Sequence, residues 1–284
     1  MPEPDIGLAI LRDMRWLGAA VFLLALLLAW LLPTRRSHRM AALAGVLVLP
    51  LLGLGWEGWR EHLFRSAQAQ ARTLFEAHCR SAGVQIHRAV DGVEGVLLMR
   101  RRAPATAVYK QYAMTDPYGD DLNGDGYALS FLWGRNGSGR VESTATSAMG
   151  YRYVVMANED GVGYTRFELG GGTRDEGGVL PVLRSPATEL PRYGITWEDL
   201  SSREDRDHWI AGSRLMAVDT ATGEVIAERI GWMWDASLDT EPDARHAWTF
   251  AAAHACPPFP VLGGQPYRIG QTRTFAEQVL KPDH

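Results

Sequence analysis

The sequence contains little cysteine and almost no lysine. Cys79 and Cys256 are its two cysteines, and Lys110 and Lys281 are its two lysines among 29 basic residues. The 33 acidic residues outnumber the bases, so the chain lacks the basic balance that nucleic-acid binding requires. The composition therefore predicts that nucleic acid is not a partner.

Motifs of the well-known catalytic sites are also missing. The chain has no His-Glu-x-x-His or Cys-x-x-Cys spacing for zinc and no Gly-x-Ser-x-Gly elbow for a serine nucleophile. No catalytic residue is predicted from these patterns. Any active site would have to be assembled from residues distant in sequence.

Long hydrophobic runs are present at the N-terminus. Trp16–Leu32 and Met40–Trp56 are uncharged over roughly 17 residues each, the short end of what spans a bilayer. The sequence predicts a two-helix transmembrane hairpin with spans at 16–32 and 40–56, and thus a lipid bilayer as a partner. A buried helix pair and a cleaved signal peptide are the alternatives.

The loop between the two runs sets the expected orientation. It carries Arg35, Arg36 and Arg39 without an acid, which favours a cytoplasmic loop. The rest of the chain is then expected on the far side of a bacterial inner membrane, in the periplasm.

Beyond Trp56, the expected fold class is α+β, with a mainly antiparallel β domain after the hairpin. Residues 1–56 form the predicted anchor, 57–82 a helical stalk with apolar residues at spacings of three and four, and 83–284 the β-rich domain. A hairpin is predicted around Asp219–Gly223 and a terminal helix at 271–280. A short helix is predicted at 197–207, with Thr196 as its cap and Asp199 three residues on. The predicted strands are 84–90, 94–101, 107–114, 127–133, 151–157, 163–169, 209–218 and 224–234.

The even cysteine count predicts a disulfide in an oxidising compartment. In the chain-entropy model, closing so long a loop stabilises a fold by about 4–5 kcal/mol. Two free buried thiols remain an alternative. So does a Cys–His nucleophile, because His78 and His254 flank Cys79 and Cys256.

One segment begins like a calcium loop. Asp121, Asn123 and Asp125 stand at alternate positions before Gly126, the arrangement that converges oxygen ligands on a hard cation. The twelfth position, where calcium loops have Glu, is Leu132. A solvated turn is the alternative, and no other cofactor is predicted.

Two features predict a protein interface. The run Ser202–His208 is the densest charge cluster, and Arg203, Asp205 and Arg206 within it suit a surface or an interface better than an acid–base site. Trp232 and Trp234 share one face of a predicted strand, which serves either core packing or partner binding.

Five blocks of the later chain resemble a known group of proteins. The blocks are Val93–Leu98, Asp116–Gly119, Pro191–Thr196, Ser202–Arg206 and Ala227–Gly231. Together they are similar to uncharacterised inner-membrane-anchored proteins of Gram-negative bacteria with a periplasmic domain. The resemblance implies an envelope location, and it implies no activity or functional residue because the group has no assigned activity.

The leading functional hypothesis is a membrane-tethered periplasmic binding module with a protein partner. An immunity-type protein that neutralises an envelope-targeting toxin is one form of it. An envelope hydrolase with a non-contiguous site is an alternative, for which contacts of His208, His246 or His254 with acids would be the signature. An assembly or sensor subunit of a membrane complex is the third hypothesis.

Overall fold

The structure is a computed structural model of the full chain. It describes residues 22, 27–30, 36–102, 111–112, 116, 123–133, 150–170, 181–236, 248 and 251–283. The chain divides into two compact units, residues 1–66 and 67–284.

Four α-helices lie in the described residues. They are α1 (Arg36–Cys79), α2 (Gly124–Trp133), α3 (Arg203–Asp207) and α4 (Gln271–Val279), with a 3₁₀ turn at Ala251–Ala253. Helix α3 begins at a capping box, and the strand that follows it starts three residues after its end. The predicted terminal helix at 271–280 is α4, and the predicted 57–82 helix is the C-terminal part of α1.

Thirteen strands lie in the described residues, and most are short. They are β1 (Gly83–Ile86), β2 (Val90–Val93), β3 (Gly95–Leu98), β4 (Tyr153–Ala157), β5 (Tyr164–Leu169), β6 (Val182–Pro186), β7 (Tyr193–Asp199), β8 (Ile210–Asp219), β9 (Glu224–Trp234), β10 (Ala255–Cys256), β11 (Val261–Leu262), β12 (Gln265–Pro266) and β13 (Leu280–Pro282).

The main sheet has the order β1-β9-β8-β7-β3-β4-β5-β6, and β10 also pairs with β9. Strand β3 runs parallel to both β4 and β7, while the other six pairs of this sheet are antiparallel. The sheet is therefore mixed, and the prediction of a mainly antiparallel domain did not include the parallel pairs of β3. Sequence patterns detect hairpins between consecutive strands, whereas β3 pairs with strands far from it along the chain.

The larger core lies where α2 and α4 cover the sheet. Tyr127, Phe131 and Leu132 of α2 and Phe275 of α4 are almost fully buried in it, together with alternate residues of the strands. The residues 127–133 were predicted as a strand, and this prediction is wrong. A short apolar run has no helical or strand period that distinguishes the two, and here Gly124 and Asp125 start a helix.

The last turns of α1 pack on the strand pair β8–β9. Ala71 of α1 lies in one buried cluster with Ile210, Trp232 and Trp234, and Gln68 donates a 2.7 Å hydrogen bond to the carbonyl of Ala236. The Trp232 indole covers Gly212 on β8, where any Cβ would overlap the ring. The apolar face of α1 is thus used for packing within residues 67–284.

The prediction of an N-terminal transmembrane hairpin is wrong. In the part of the chain that the structure describes, no helix has the length and apolar composition needed to cross a membrane. The second predicted span, 40–56, lies inside α1, a single 44-residue helix that continues into a charged segment. Its uncharged run is at the short end for a span, and charged residues follow it within the same helix from Glu57 onwards. Most of the first predicted span, 16–32, lies outside the described residues.

Other local predictions have mixed outcomes. The predicted hairpin around Asp219–Gly223 is confirmed as β8–β9. The predicted helix at 197–207 is wrong at its start, because residues up to Asp199 belong to β7 and Ser202 rather than Thr196 caps α3. Strand β6 was not predicted, and the predicted strand 107–114 lies almost entirely outside the described residues.

The β8–β9 turn is built on a buried carboxylate. Asp219 accepts hydrogen bonds from Arg192, from Arg88 and from the backbone N–H of Ala221. The hydrogen bond from Arg192 is the main cause that lowers the pKa of Asp219, and burial opposes it. A carboxyl whose pKa is lower in the folded state stabilises the fold above its unfolded pKa of about 3.9 and loses that contribution as the pH falls through the folded value.

We expect the Asp219→Asn variant to be less stable than the wild type at neutral pH, with the difference shrinking below about pH 4. Denaturant unfolding at a series of pH values measures this. Asp91→Asn is the matched control, because the exposed pair of Asp91 with Lys281 should contribute little. A pH-independent difference for Asp219→Asn would contradict the electrostatic explanation.

Candidate interaction site around helix α3

Helix α3 is fixed to the domain by a complete capping box. The Ser202 hydroxyl accepts a 3.0 Å hydrogen bond from the backbone N–H of Asp205, and the Asp205 carboxylate accepts one of 2.7 Å from the backbone N–H of Ser202. The Ser202 hydroxyl itself donates to the same carboxylate oxygen at 2.7 Å. A five-residue helix has little stability of its own, so this cap and its tertiary contacts define it.

Asp205 also connects α3 to the end of α1. Its second carboxylate oxygen is 2.7 Å from Nε2 of His78, and the Asp205 side chain is only 3% exposed. The His78 ring stacks on Trp232 at 3.8 Å between ring centroids. One buried carboxylate therefore joins α1, α3 and, through the stacked indole, β9.

A disulfide between Cys79 and Cys256 closes the same region, which confirms the predicted pair. Cys79 is the last residue of α1, and Cys256 lies on β10 beside Trp232 of β9. The bond rules out the predicted alternatives of free thiols and a Cys–His nucleophile. The end of α1 is thereby tied covalently to the sheet.

Arg206 fixes the opposite side of α3. Its side chain is buried, donates a 2.7 Å hydrogen bond to Asp199, and lies 5.6 Å from the centroid of the Trp248 ring. Its backbone carbonyl accepts a 2.7 Å hydrogen bond from the Gln111 side chain. Asp205 and Arg206, which were predicted as interface residues, thus lie beneath the surface and support it.

Arg203 and Asp207 lie on the outer side of α3, and Tyr112 packs against them. We call these three residues the α3 surface. The Tyr112 hydroxyl donates a 2.6 Å hydrogen bond to Asp207, and the Arg203 guanidinium lies 4.1 Å from the centre of the Tyr112 ring. Arg203 also pairs with Asp207 at 3.2 Å. Tyr112 is 48% exposed, and the side chains of Arg203 and Asp207 are 76% and 51% exposed.

The mutual contacts of the α3 surface shift its titrating groups. The hydrogen bond from Tyr112 is the largest cause that lowers the pKa of Asp207, with the Arg203 charge adding to it. The same hydrogen bond raises the pKa of Tyr112. At neutral pH the site presents a neutral phenol, a guanidinium and a carboxylate in one fixed arrangement.

Trp232 and Trp234, the other predicted interface residues, are buried at 4% and 8% exposure. Trp234 packs against Phe75 of α1 and lies edge-on to His254. Both indoles therefore serve core packing, the alternative that the sequence left open.

The residues of the predicted calcium loop lie elsewhere. Asp125 is in the first turn of α2, where Arg101 and Arg184 pair with it at 3.0 and 2.8 Å. Asn123 is exposed and Asp121 lies outside the described residues. No group of three metal-ligating side chains occurs within the described ranges. Calcium binding by this loop stays a prediction.

The described histidines do not form the pattern predicted for a hydrolase. The ring of His254 contacts Trp234, the backbone of His208 caps α3, and His246 lies outside the described residues. The His–acid contact is His78–Asp205, and there Ser202 bonds to the carboxylate rather than to the imidazole. This pattern of hydrogen bonds suits a helix cap. A nucleophilic serine would instead be hydrogen-bonded to the histidine.

Sequence reasoning missed Tyr112, and it named His78 as a neighbour of Cys79 but not as the partner of Asp205. Their partners on α3 are far away in the chain, so no spacing pattern indicated them. The Ser202-x-x-Asp205 capping pattern was the available signal for the helix start, and it was assigned six residues too early, at Thr196. No protein-family model matches the chain, and searches of curated proteins and of solved structures found no significant match.

We expect Tyr112→Phe to raise the pKa of Asp207 towards its ordinary value, because the hydrogen bond that lowers this pKa most is removed. Carbon-detected NMR titration of the Asp207 carboxyl measures the shift. Tyr164→Phe, in β5, is the control and should leave the titration unchanged. An unaltered Asp207 pKa in Tyr112→Phe would show that the hydrogen bond is not formed in solution.

Proposed function

We propose that the chain is a non-enzymatic binding module that engages a protein partner through the α3 surface. The observation that carries the proposal is the preformed exposed triad of Tyr112, Arg203 and Asp207 on a buried support. Tyrosine and arginine dominate binding hot spots. Side chains already held in one arrangement lose little further conformational freedom when a partner binds.

The charges of the triad indicate the chemistry of the partner. Arg203 is more exposed than Asp207 and offers donors to a carboxylate, while Asp207 remains ionised at neutral pH. The partner is therefore expected to present an acidic group next to a donor, around a residue that packs on the Tyr112 ring. A nucleic acid would meet the carboxylates of Glu204 and Asp207 and is disfavoured.

We also propose that the module works in an oxidising compartment such as the bacterial periplasm. The Cys79–Cys256 disulfide supports this, because such bonds persist mainly outside the reducing cytosol. An immunity-type role against an envelope-directed toxin is the narrower form of the proposal. It is motivated by the acidic balance of the chain, by the lack of known catalytic spacings in its sequence and by the exposed Tyr112 ring.

Site-specific photo-cross-linking in the native cell tests the proposal. A photoreactive residue at Glu204 lies on α3 beside the triad and leaves its three side chains intact, and one at Glu189 is the exposed acidic control. We expect one defined protein adduct from position 204 and none from 189. Adducts of equal yield at both positions, or none at 204, would contradict the proposal.

The Arg203→Ala substitution should lower the adduct yield from position 204 by about tenfold or more, the loss typical of a hot-spot residue. Arg152→Ala is the matched control, because Arg152 is also an exposed arginine paired with an acid, Glu94. Equal yields in the two variants would remove Arg203 from the interface. A partner that proves to be a secreted toxin would support the immunity role, and any other partner would contradict it.

A further inference from the structure

The β11–β12 hairpin carries the most exposed aliphatic pair among strand residues. Val261 and Leu262 are 70% and 65% exposed, and Tyr267 and Ile269 that follow the hairpin are 41% and 45% exposed. The turn consists of Gly263 and Gly264, both with positive φ, so the chain reverses over two residues without a side chain at the tip. The tip is therefore narrow and apolar.

The register places apolar groups on both faces of this hairpin. Val261 pairs with Pro266, and Leu262 pairs with Gln265, so the two aliphatic side chains point to opposite faces. A flat protein partner would cover one face and leave the other in water. A medium that surrounds the tip, such as the interfacial layer of a bilayer, covers both.

The base of the hairpin is held by the domain. Phe259 is buried with Trp248, Ala211 and Met233, and the backbone N–H of Tyr267 donates a 2.7 Å hydrogen bond to the carbonyl of Pro260. The exposed tip thus projects from a fixed base. Tyr267, at the base of this short hairpin, has the amphipathic ring that is favoured at the level of lipid headgroups.

The charge of the surrounding segment favours an anionic surface. The segment from Ala251 to Gly270 contains no Asp or Glu and includes Arg268, although the whole chain has a net charge of −4. Arg273, which follows, is largely buried and pairs with Glu277. Anionic lipid attracts basic segments and repels acidic ones. The segment that carries the exposed hairpin therefore has no carboxylate side chain of its own to repel such a surface.

We propose that the β11–β12 hairpin inserts its tip into the interfacial layer of an anionic lipid surface. Val261 and Leu262 enter the layer, Tyr267 lies at headgroup depth, and the base stays in the domain. The insertion is shallow, since the backbone groups of the Gly263–Gly264 turn need water or headgroup partners. This contact is separate from the α3 surface and does not depend on the proposed function.

A local probe on the full chain tests the proposal. Both native cysteines are in the disulfide, so a Leu262→Cys substitution gives a single thiol for an environment-sensitive fluorophore. Val162→Cys, in the exposed turn between β4 and β5 at 73% exposure, is the labelled control. Nitroxide lipids in phosphatidylglycerol-containing vesicles quench only labels that enter the bilayer. The readout therefore reports on the labelled position even if another part of the chain also binds the vesicle.

We expect strong quenching of the label at 262 and little at 162, and weaker quenching at 262 with phosphatidylcholine vesicles. Adding Val261→Asp should lower the quenched fraction at 262 by about tenfold, because an aliphatic group would be replaced by a charge. Val162→Asp in the same labelled chain should leave it unchanged. Circular dichroism checks that both variants are folded.

Equal quenching at 262 and 162, or no dependence on lipid charge, would overturn the proposal. The proposal would also be overturned if, without vesicles, the label at 262 reported an apolar environment and this signal increased with protein concentration. That result would assign the hairpin to contacts between copies of the chain.

Discussion

The hydrogen bonds of the buried Asp205 carboxylate hold α3 to the end of α1 and to its own cap. The position of α3 in the domain depends on them. One oxygen of Asp205 bonds to His78 at the end of α1, and the other closes the Ser202 cap of α3. Leaving a buried hydrogen-bonding group without its partner typically costs about 1–3 kcal/mol, and loss of a helix cap about 0.5–2 kcal/mol. Because the Cys79–Cys256 bond lies one residue from His78, a covalent and a polar constraint act on the same turn of α1.

This support favours the proposal that the α3 surface binds a partner. The histidine and carboxylate that would suit proton transfer hold two helices together, and the disulfide removes the thiols. The α3 surface presents an exposed aromatic ring beside a guanidinium and a carboxylate, and the contacts among these three side chains are already made. For the proposed partner, affinity would depend on complementarity to this fixed arrangement, as in preorganised interfaces.

The sequence predicted the features that are encoded locally. The Asp219–Gly223 turn predicted β8–β9, because this signal depends on residue type at short range. The disulfide was predicted although its cysteines lie 177 residues apart, because a chain with two cysteines allows one internal pair. The sequence did not predict the parallel pairing of β3 or the buried contact between Asp205 and His78, because the partners lie far apart in the chain. Helix α2 was missed for another reason, because its apolar run at 127–133 has no period that separates helix from strand. The membrane hairpin was inferred from two uncharged runs at the short end of spanning length, and in the described residues no helix is long and apolar enough to span.

Hydrogen exchange in an Asp205→Asn variant tests the central role of Asp205 most directly. The amide keeps the size of the carboxylate, but only one of its groups can accept hydrogen bonds. If Asp205 holds α3 to α1, the amides of Ser202–His208 and of the last turn of α1 exchange faster in the variant, while those of β8 and β9 keep their protection. Unchanged exchange across Ser202–His208 would contradict the account.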